Sequence, residues 1–224
     1  MRPIGPSANY ILPMRFVIIS DTHNKHRQLR TLPPGDAIIH AGDITSRGQE
    51  REVNDFLKWF SGLDYKYKIF IAGNHDFLFE QADASLLSSI IPDNITYLND
   101  SGITIEGINI WGSPITPWFH DWAFNRQRGS EIMAHWKLIP ADTDILITHG
   151  PVAGILDTTT TGIIAGCEDL AATVRSIKPA YFISGHIHEA YGQEIHEGTT
   201  YINAAVLDER YVLRNQPQTF DLKK

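Results

Sequence analysis

An α/β domain with mixed sheets is the fold this sequence predicts, and three observations point to it. Five short apolar runs each end in a polar cluster. Amphipathic helical patterns lie between some of them, and hairpin signals appear later in the chain. Runs so short and apolar read as strands buried on both faces. Strands alternating with helices, then pairing as hairpins, make an α/β arrangement with mixed sheets.

The elements follow in order. Residues 1–14, with one Arg, three Pro and no long apolar stretch, read as an N-terminal extension and not as a secretory signal. Residues 15–224 read as a single domain, a length that buries enough surface to need no disulfide. Residues 15–20 (RFVIIS), 37–41 (AIIHA) and 68–72 (KIFIA) are predicted strands. Between the last two, residues 49–60 place Val53, Phe56, Leu57 and Phe60 at i, i+3, i+4 and i+7, one face of a helix. Residues 103–105 and 108–111 read as a hairpin turning at Glu106–Gly107. Residues 121–136 are a helix candidate, followed by a strand at 144–148 (DILIT). A second helix candidate, 168–177, starts shortly after Gly166 and ends before Pro179. Strands are then expected at 180–184 (AYFIS), 199–204 and, briefly, 211–213.

Composition narrows the function. A net charge of −7 argues against the broad basic footprint that nucleic-acid polymers require. It suits carboxylates gathered around cations. No apolar run approaches the ~20 residues that would cross a membrane. Cys167 is the only cysteine, so an internal disulfide is excluded, and a reducing cytoplasm is the expected location.

The polar clusters carry the chemistry. They fall at 21–23, 42–43, 73–76, 149–150 and 185–188, and these 15 residues hold five of the ten histidines. An even spread would place fewer than one there. In open α/β sheets the carboxyl ends of neighbouring strands bring distant positions to one rim. Asp21, His23, Asp43, Asn74, His75, His149, His186 and His188 therefore become candidates for a single site. Imidazole, carboxylate and amide donors without thiolate suit divalent manganese, iron, zinc, cobalt or nickel. Two cations ~3.5–4 Å apart need a shared carboxylate, and Asp43 is the natural one. Gly42, Gly73 and Gly185 permit tight turns beside such ions.

The blocks Asp21–Thr22–His23, Gly42–Asp43, Gly73–Asn74–His75–Asp76, Thr148–His149–Gly150 and Gly185–His186–Ile187–His188 resemble, in order, those of the calcineurin-like metallophosphoesterase superfamily. The resemblance spans residues 15–206. The stretches 111–125 and 148–151 look most like its metallophosphoesterase-domain-containing subgroup. The resemblance implies a two-sheet β-sandwich of mixed strands flanked by helices, with two metals at one edge, manganese foremost. By motif, Asp21, His23 and His188 would hold one ion and Asn74, His149 and His186 the other, with Asp43 bridging. It also implies attack on phosphorus by a metal-bridging hydroxide, with His75 serving the leaving alkoxide. One position departs. The family commonly has an acid three residues after the second-block Asp, orienting the catalytic His, and here that residue is Ser46.

The expected activity is hydrolysis of small nucleotide-like or cyclic phosphodiesters. The alternatives are a phosphomonoesterase and a non-catalytic interaction module that retains the metals. Substrate choice is expected in loops 113–128 and 151–166. His120 lies in an aromatic stretch, 117–122, that reads equally as a pocket wall or a hydrophobic plug. Arg126 and Arg128 read as a solvated helix face, with phosphate contact as the alternative. His26, His40, His135 and His196 read as structural or surface residues, and Cys167 as inert.

Overall fold

The computed structural model describes residues 12–224. The expected extension lies mostly outside these residues, and Met14 already begins the first strand, β1 (Met14–Ile19). It pairs in parallel with β2 (Ala37–Ala41), which pairs with β3 (Tyr67–Ile71) and then β4 (Thr96–Tyr97). The second sheet takes its strands from β5 (Ser101–Ile105), β6 (Ile108–Ser113), β9 (Ile145–Thr148), β10 (Tyr181–Ser184), β11 (Gly192–His196) and β12 (Thr199–Asn203). Its order is β11-β12-β10-β9-β6-β5, antiparallel at both edges and parallel within. A last strand, β13 (Gln218–Leu222), returns antiparallel to the outer edge of β1. A small parallel pair joins β7 (Thr116–Pro117) to β8 (Asn125–Arg126).

Strand alternation explains the apolar runs. Phe16 and Ile18 of β1 point with Ile39, Ile69 and Ile71 into the space between the sheets, where they meet Ile110, Ile145, Ile147, Ile183 and Ile202. Val17, Ile19, Ile38 and Phe70 point the other way. There they meet α1 (Glu50–Ser61), which buries Val53, Phe56, Leu57 and Phe60 as its spacing predicts. Each such side chain contributes about 1.5–3 kcal/mol on burial. The second sheet is covered by α4 (Ser130–Trp136) and α5 (Glu168–Ile177), which supply Ile132, Trp136, Leu170 and Val174. The result is the expected sandwich, with a core between the two sheets and apolar layers outside them under the helices.

Some expectations are corrected. The helix proposed at 121–136 begins only at Ser130. Asn125 holds the preceding segment in a loop by donating to Thr116 Oγ1 and accepting from Phe119 N, each at 2.8 Å. Residues 211–213 form no strand; only an isolated bridge joins Leu207 to Leu213. The Asp208 carboxylate accepts from Arg210 N and Val212 N and folds that segment into a turn. The short helices α2 (Phe77–Gln81) and α3 (Ala84–Ile90) and the edge strands β11 and β13 were not legible as elements. No helix among the described residues is long and apolar enough to cross a membrane.

Candidate metal centre

The parallel strands β1, β2 and β3 of one sheet and β9 and β10 of the other release their carboxyl ends at one edge of the sandwich. The bridge between Ser20 and Ala205 joins the two sheets there. All eight predicted site residues meet at this edge. Asp43 lies at the centre. Its Oδ2 faces His149 Nε2 at 3.3 Å, His23 Nε2 at 3.5 Å and His75 Nε2 at 4.0 Å, while its Oδ1 accepts from His75 N at 2.9 Å. Asp21 Oδ1 lies 3.4 Å from His188 Nε2, and its carboxylate also accepts from His186 N. Asn74 Oδ1 lies 3.0 Å from His149 Nε2. Three groups have donor atoms close enough to hold an ion: Asp21, His23 and His188; Asp43, His149 and His186; and His23, Asp43 and His75.

The histidines are oriented by main chain. Nδ1 of His23, His149 and His188 pairs with the carbonyls of Thr45, Ala41 and Asp208, at 3.1, 2.9 and 2.9 Å. Committing the Nδ1 proton to a carbonyl leaves the Nε2 lone pair directed at the centre, the arrangement that presents imidazole to a metal. His23 Nε2 is buried with no hydrogen-bond partner. An orphaned nitrogen beside two buried carboxylates fits a cation, because otherwise its desolvation is uncompensated. The residues present therefore fit a pair of divalent ions.

The charges agree. Burial opposes ionisation of Asp21, yet the hydrogen bond and charge of His188 hold its carboxyl well below the usual range. Burial likewise opposes Asp43, and His149 outweighs it. Burial works against protonation of His149, but the Asp43 charge pushes it up to about 9; Asp21 does the same for His188, also to about 9. Burial pulls His23 and His186 down to about 4. Two ionised carboxylates thus draw positive charge into a buried pocket, and metal ions satisfy them more fully than two imidazolium groups.

The close approach of strands leaves no room for side chains on the motif glycines. Gly42 has φ +100°, and a Cβ there would lie 2.5 Å from His149 Nδ1. At Gly185 it would collide with Asp21 Oδ2 and Ser20 Oγ.

Residues 14–190 match the model of calcineurin-like phosphoesterases. The chain belongs to this family. It is 41% identical to metallophosphoesterase domain-containing protein 1 of Homo sapiens over 93% of this chain and 71% of that one, with the same figures for the Mus musculus protein. The solved phosphopantetheinyl hydrolase of Mycobacterium tuberculosis shares the fold, with a TM-score of 0.60 at 14% identity over 89% of this chain and 91% of that one. Family membership implies phosphoric ester hydrolysis.

Within this phosphoesterase, Ser46 resolves the departure from the family pattern. His75 Nδ1 pairs with the Ser46 carbonyl at 2.9 Å, so main chain takes the place of the missing acid. Trp122 also covers the His75 ring, centroids 4.3 Å apart. Asp76, the last residue of the third block, ties the edge together. Its buried carboxylate accepts from Ile44 N, Thr45 N, Gly73 N and Thr45 Oγ1 at 2.6–3.1 Å. Its burial and the nearby Asp43 raise it to about 6. Its place in the motif was visible in sequence, but its bracing role was not.

A cleft of about 470 Å³ opens over the centre. Trp118, Phe119 and Trp122 line one wall and Ile163 and Ile164 line part of the rest. The aromatic stretch is thus a wall and not a plug, for Trp118 and Phe119 are exposed; His120 lies outside the cleft lining. Arg128 lines the cleft and donates to the Gly166 carbonyl, while Arg126 pairs with Glu80 at 3.1 Å; neither is on a helix. The other histidines are structural or surface residues, as read: His26 meets Asp55, His135 meets Asp100 and His196 meets Glu194. Cys167 is buried and its thiol is pushed up by burial. Tyr211, read as a strand residue, instead lines the cleft.

Proposed function

We propose that the chain hydrolyses small phosphodiesters with nucleotide-like or cyclic organic arms, using two divalent cations at this edge, manganese foremost. Asp21, His23 and His188 would hold one ion and Asn74, His149 and His186 the other, with Asp43 shared. Bound there, the pair would acidify water and offset phosphoryl charge. His75, with Nδ1 held by Ser46, keeps Nε2 toward the centre and gives a proton to the leaving alkoxide. Domain 15–224 acts as one unit in this reading, and a reducing cytoplasm fits its one buried thiol.

The cleft lining favours diester over monoester. Among the described residues Arg128 is its only lysine or arginine, and that guanidinium is engaged by backbone carbonyls. A monoester dianion brings extra charge that this lining does not meet. The aromatic and aliphatic walls instead offer surface to an organic arm. The test compares bis-(p-nitrophenyl) phosphate with p-nitrophenyl phosphate in the presence of manganese. Faster diester turnover supports the reading. Faster monoester turnover refutes the diester preference, and metal binding without turnover of either ester favours the interaction module.

A further inference from the structure

The loop after β12 places an aromatic ring beside the centre that no motif accounts for. Tyr211 packs its ring edgewise on His23 and His188, centroids 5.0 Å away in each case. It lines the same cleft as Asp43, Asn74 and His186, and the residue is 45% exposed. Its hydroxyl makes no hydrogen bond among the described residues, unlike those of Tyr65, Tyr67 and Tyr191. The backbone that carries it is nevertheless held firmly. Tyr211 has φ +58°, a left-handed conformation that costs a side-chain-bearing residue about 1–2 kcal/mol.

That strain is sustained by its surroundings. Tyr211 N donates to the Asp208 carbonyl at 2.8 Å, the same carbonyl that orients His188. The Asp208 carboxylate accepts from Arg210 N and Val212 N and meets Arg214 Nε at 2.7 Å. Lys25 Nζ donates to the Tyr211 carbonyl from the segment that follows His23. A strained backbone over-determined in this way, carrying a phenol with a free donor, is a mark of a functional position.

We propose that the Tyr211 hydroxyl donates a hydrogen bond to a non-bridging oxygen of the phosphoryl group bound at the metal edge, making it a substrate-positioning residue. The proposal rests on the phosphoester reading for its ligand class and needs no new chemistry. The phenol retains its proton throughout and contributes a donor where negative charge gathers. A ring that serves only to pack His23 and His188 would need no hydroxyl, and the two roles separate by experiment.

Tyr211→Phe keeps the ring and removes the donor, while Tyr211→Ala removes both. The readouts are bound manganese by elemental analysis, the dissociation constant of inorganic phosphate for the manganese-loaded protein by calorimetry, and kcat and KM on bis-(p-nitrophenyl) phosphate. The expected result for Tyr211→Phe is unchanged manganese, phosphate binding about tenfold weaker and a similar fall in kcat/KM. Weaker phosphate binding in a protein without turnover still supports the Tyr211 assignment, while defeating the hydrolase reading. Phosphate affinity equal in wild type and Tyr211→Phe overturns it, as does no phosphate binding at all. Manganese lost only in Tyr211→Ala, with Tyr211→Phe unaltered in every readout, reduces Tyr211 to packing.

Discussion

His40 makes the protein acid-sensitive, and the size of the effect follows from its surroundings. The imidazole is fully buried in β2, edge-on to Phe56 at 5.1 Å. Nε2 lies 2.9 Å from Thr22 Oγ1, and Nδ1 is buried without a partner. Burial pulls its pKa down to about 3. In the unfolded chain it returns to about 6.5. The unfolded state therefore binds the proton first, so this stability is fully present above about 6.5 and is lost as pH falls. From pH 7 to pH 5 the loss from this residue is about 2 kcal/mol, approaching about 5 kcal/mol below pH 3. Urea unfolding of metal-free wild type and His40→Leu at both pH values isolates it, because the remaining titrating groups are shared. His40→Leu leaves the Thr22 hydroxyl unpaired, costing about 1 kcal/mol at pH 7. It should then lose about 2 kcal/mol less than wild type on going to pH 5. An equal loss in both proteins would refute the argument. Thr22 lies between Asp21 and His23, so protonation of His40 bears on the turn that carries both as well as on the core.

Three further outcomes follow from the same geometry. Asp43→Asn removes the charge facing three imidazoles and should leave at most one tightly held manganese per chain by elemental analysis; two retained ions would contradict the shared role. His75→Ala should lower turnover of bis-(p-nitrophenyl) phosphate about 10²–10⁴-fold with metal content unchanged, and loss of metal with the turnover would assign His75 to the ligands instead. Asp76→Asn turns an amide group toward donors that now meet a carboxylate, so the thermal midpoint should fall in step with a loss of about 3 kcal/mol; an unshifted midpoint would show that its four contacts contribute nothing.

Legibility in sequence tracked burial. Strands β1, β2, β3, β9 and β10 bury both faces and stand out as apolar runs, and α1 declares itself through Val53, Phe56, Leu57 and Phe60. β11 is exposed along almost its whole length and β13 buries only Phe220, so neither carries a hydrophobic signal. Helix α3 buries nothing and rests on its Asp83 cap. The apparent helical period at 121–136 merged two different environments, a loop packed by Ala123 and Phe124 and the true helix carrying Ile132 and Trp136. The residues gathered at the sandwich edge were legible because histidine, aspartate and asparagine recur just after five of the buried strands. Tyr211 was not, since its place depends on a turn made by Asp208 and on contacts with residues nearly two hundred positions away.

The five blocks form one mechanical unit. Asp21, His23, Asp43 and His186 all adopt left-handed backbone, with φ of 55°, 38°, 55° and 67°. At about 1–2 kcal/mol each, this strain would unravel isolated turns. It persists because each turn is hydrogen-bonded to the next strand's turn. Asp21 N donates to Gly42 O and His23 N to Asp43 O, both at 3.0 Å, Gly185 N donates to His149 O at 3.0 Å, and Asp76 clamps residues 44, 45 and 73. His186 N closes the circuit across the two sheets on the Asp21 carboxylate, which itself faces His188. Loss of one of these linking contacts therefore reaches donors contributed by other blocks. The edge gains rigidity by this coupling, and it gives up tolerance at the residues that make these contacts, whereas the His75 ring makes none of them and can be removed while the other donors stay in place.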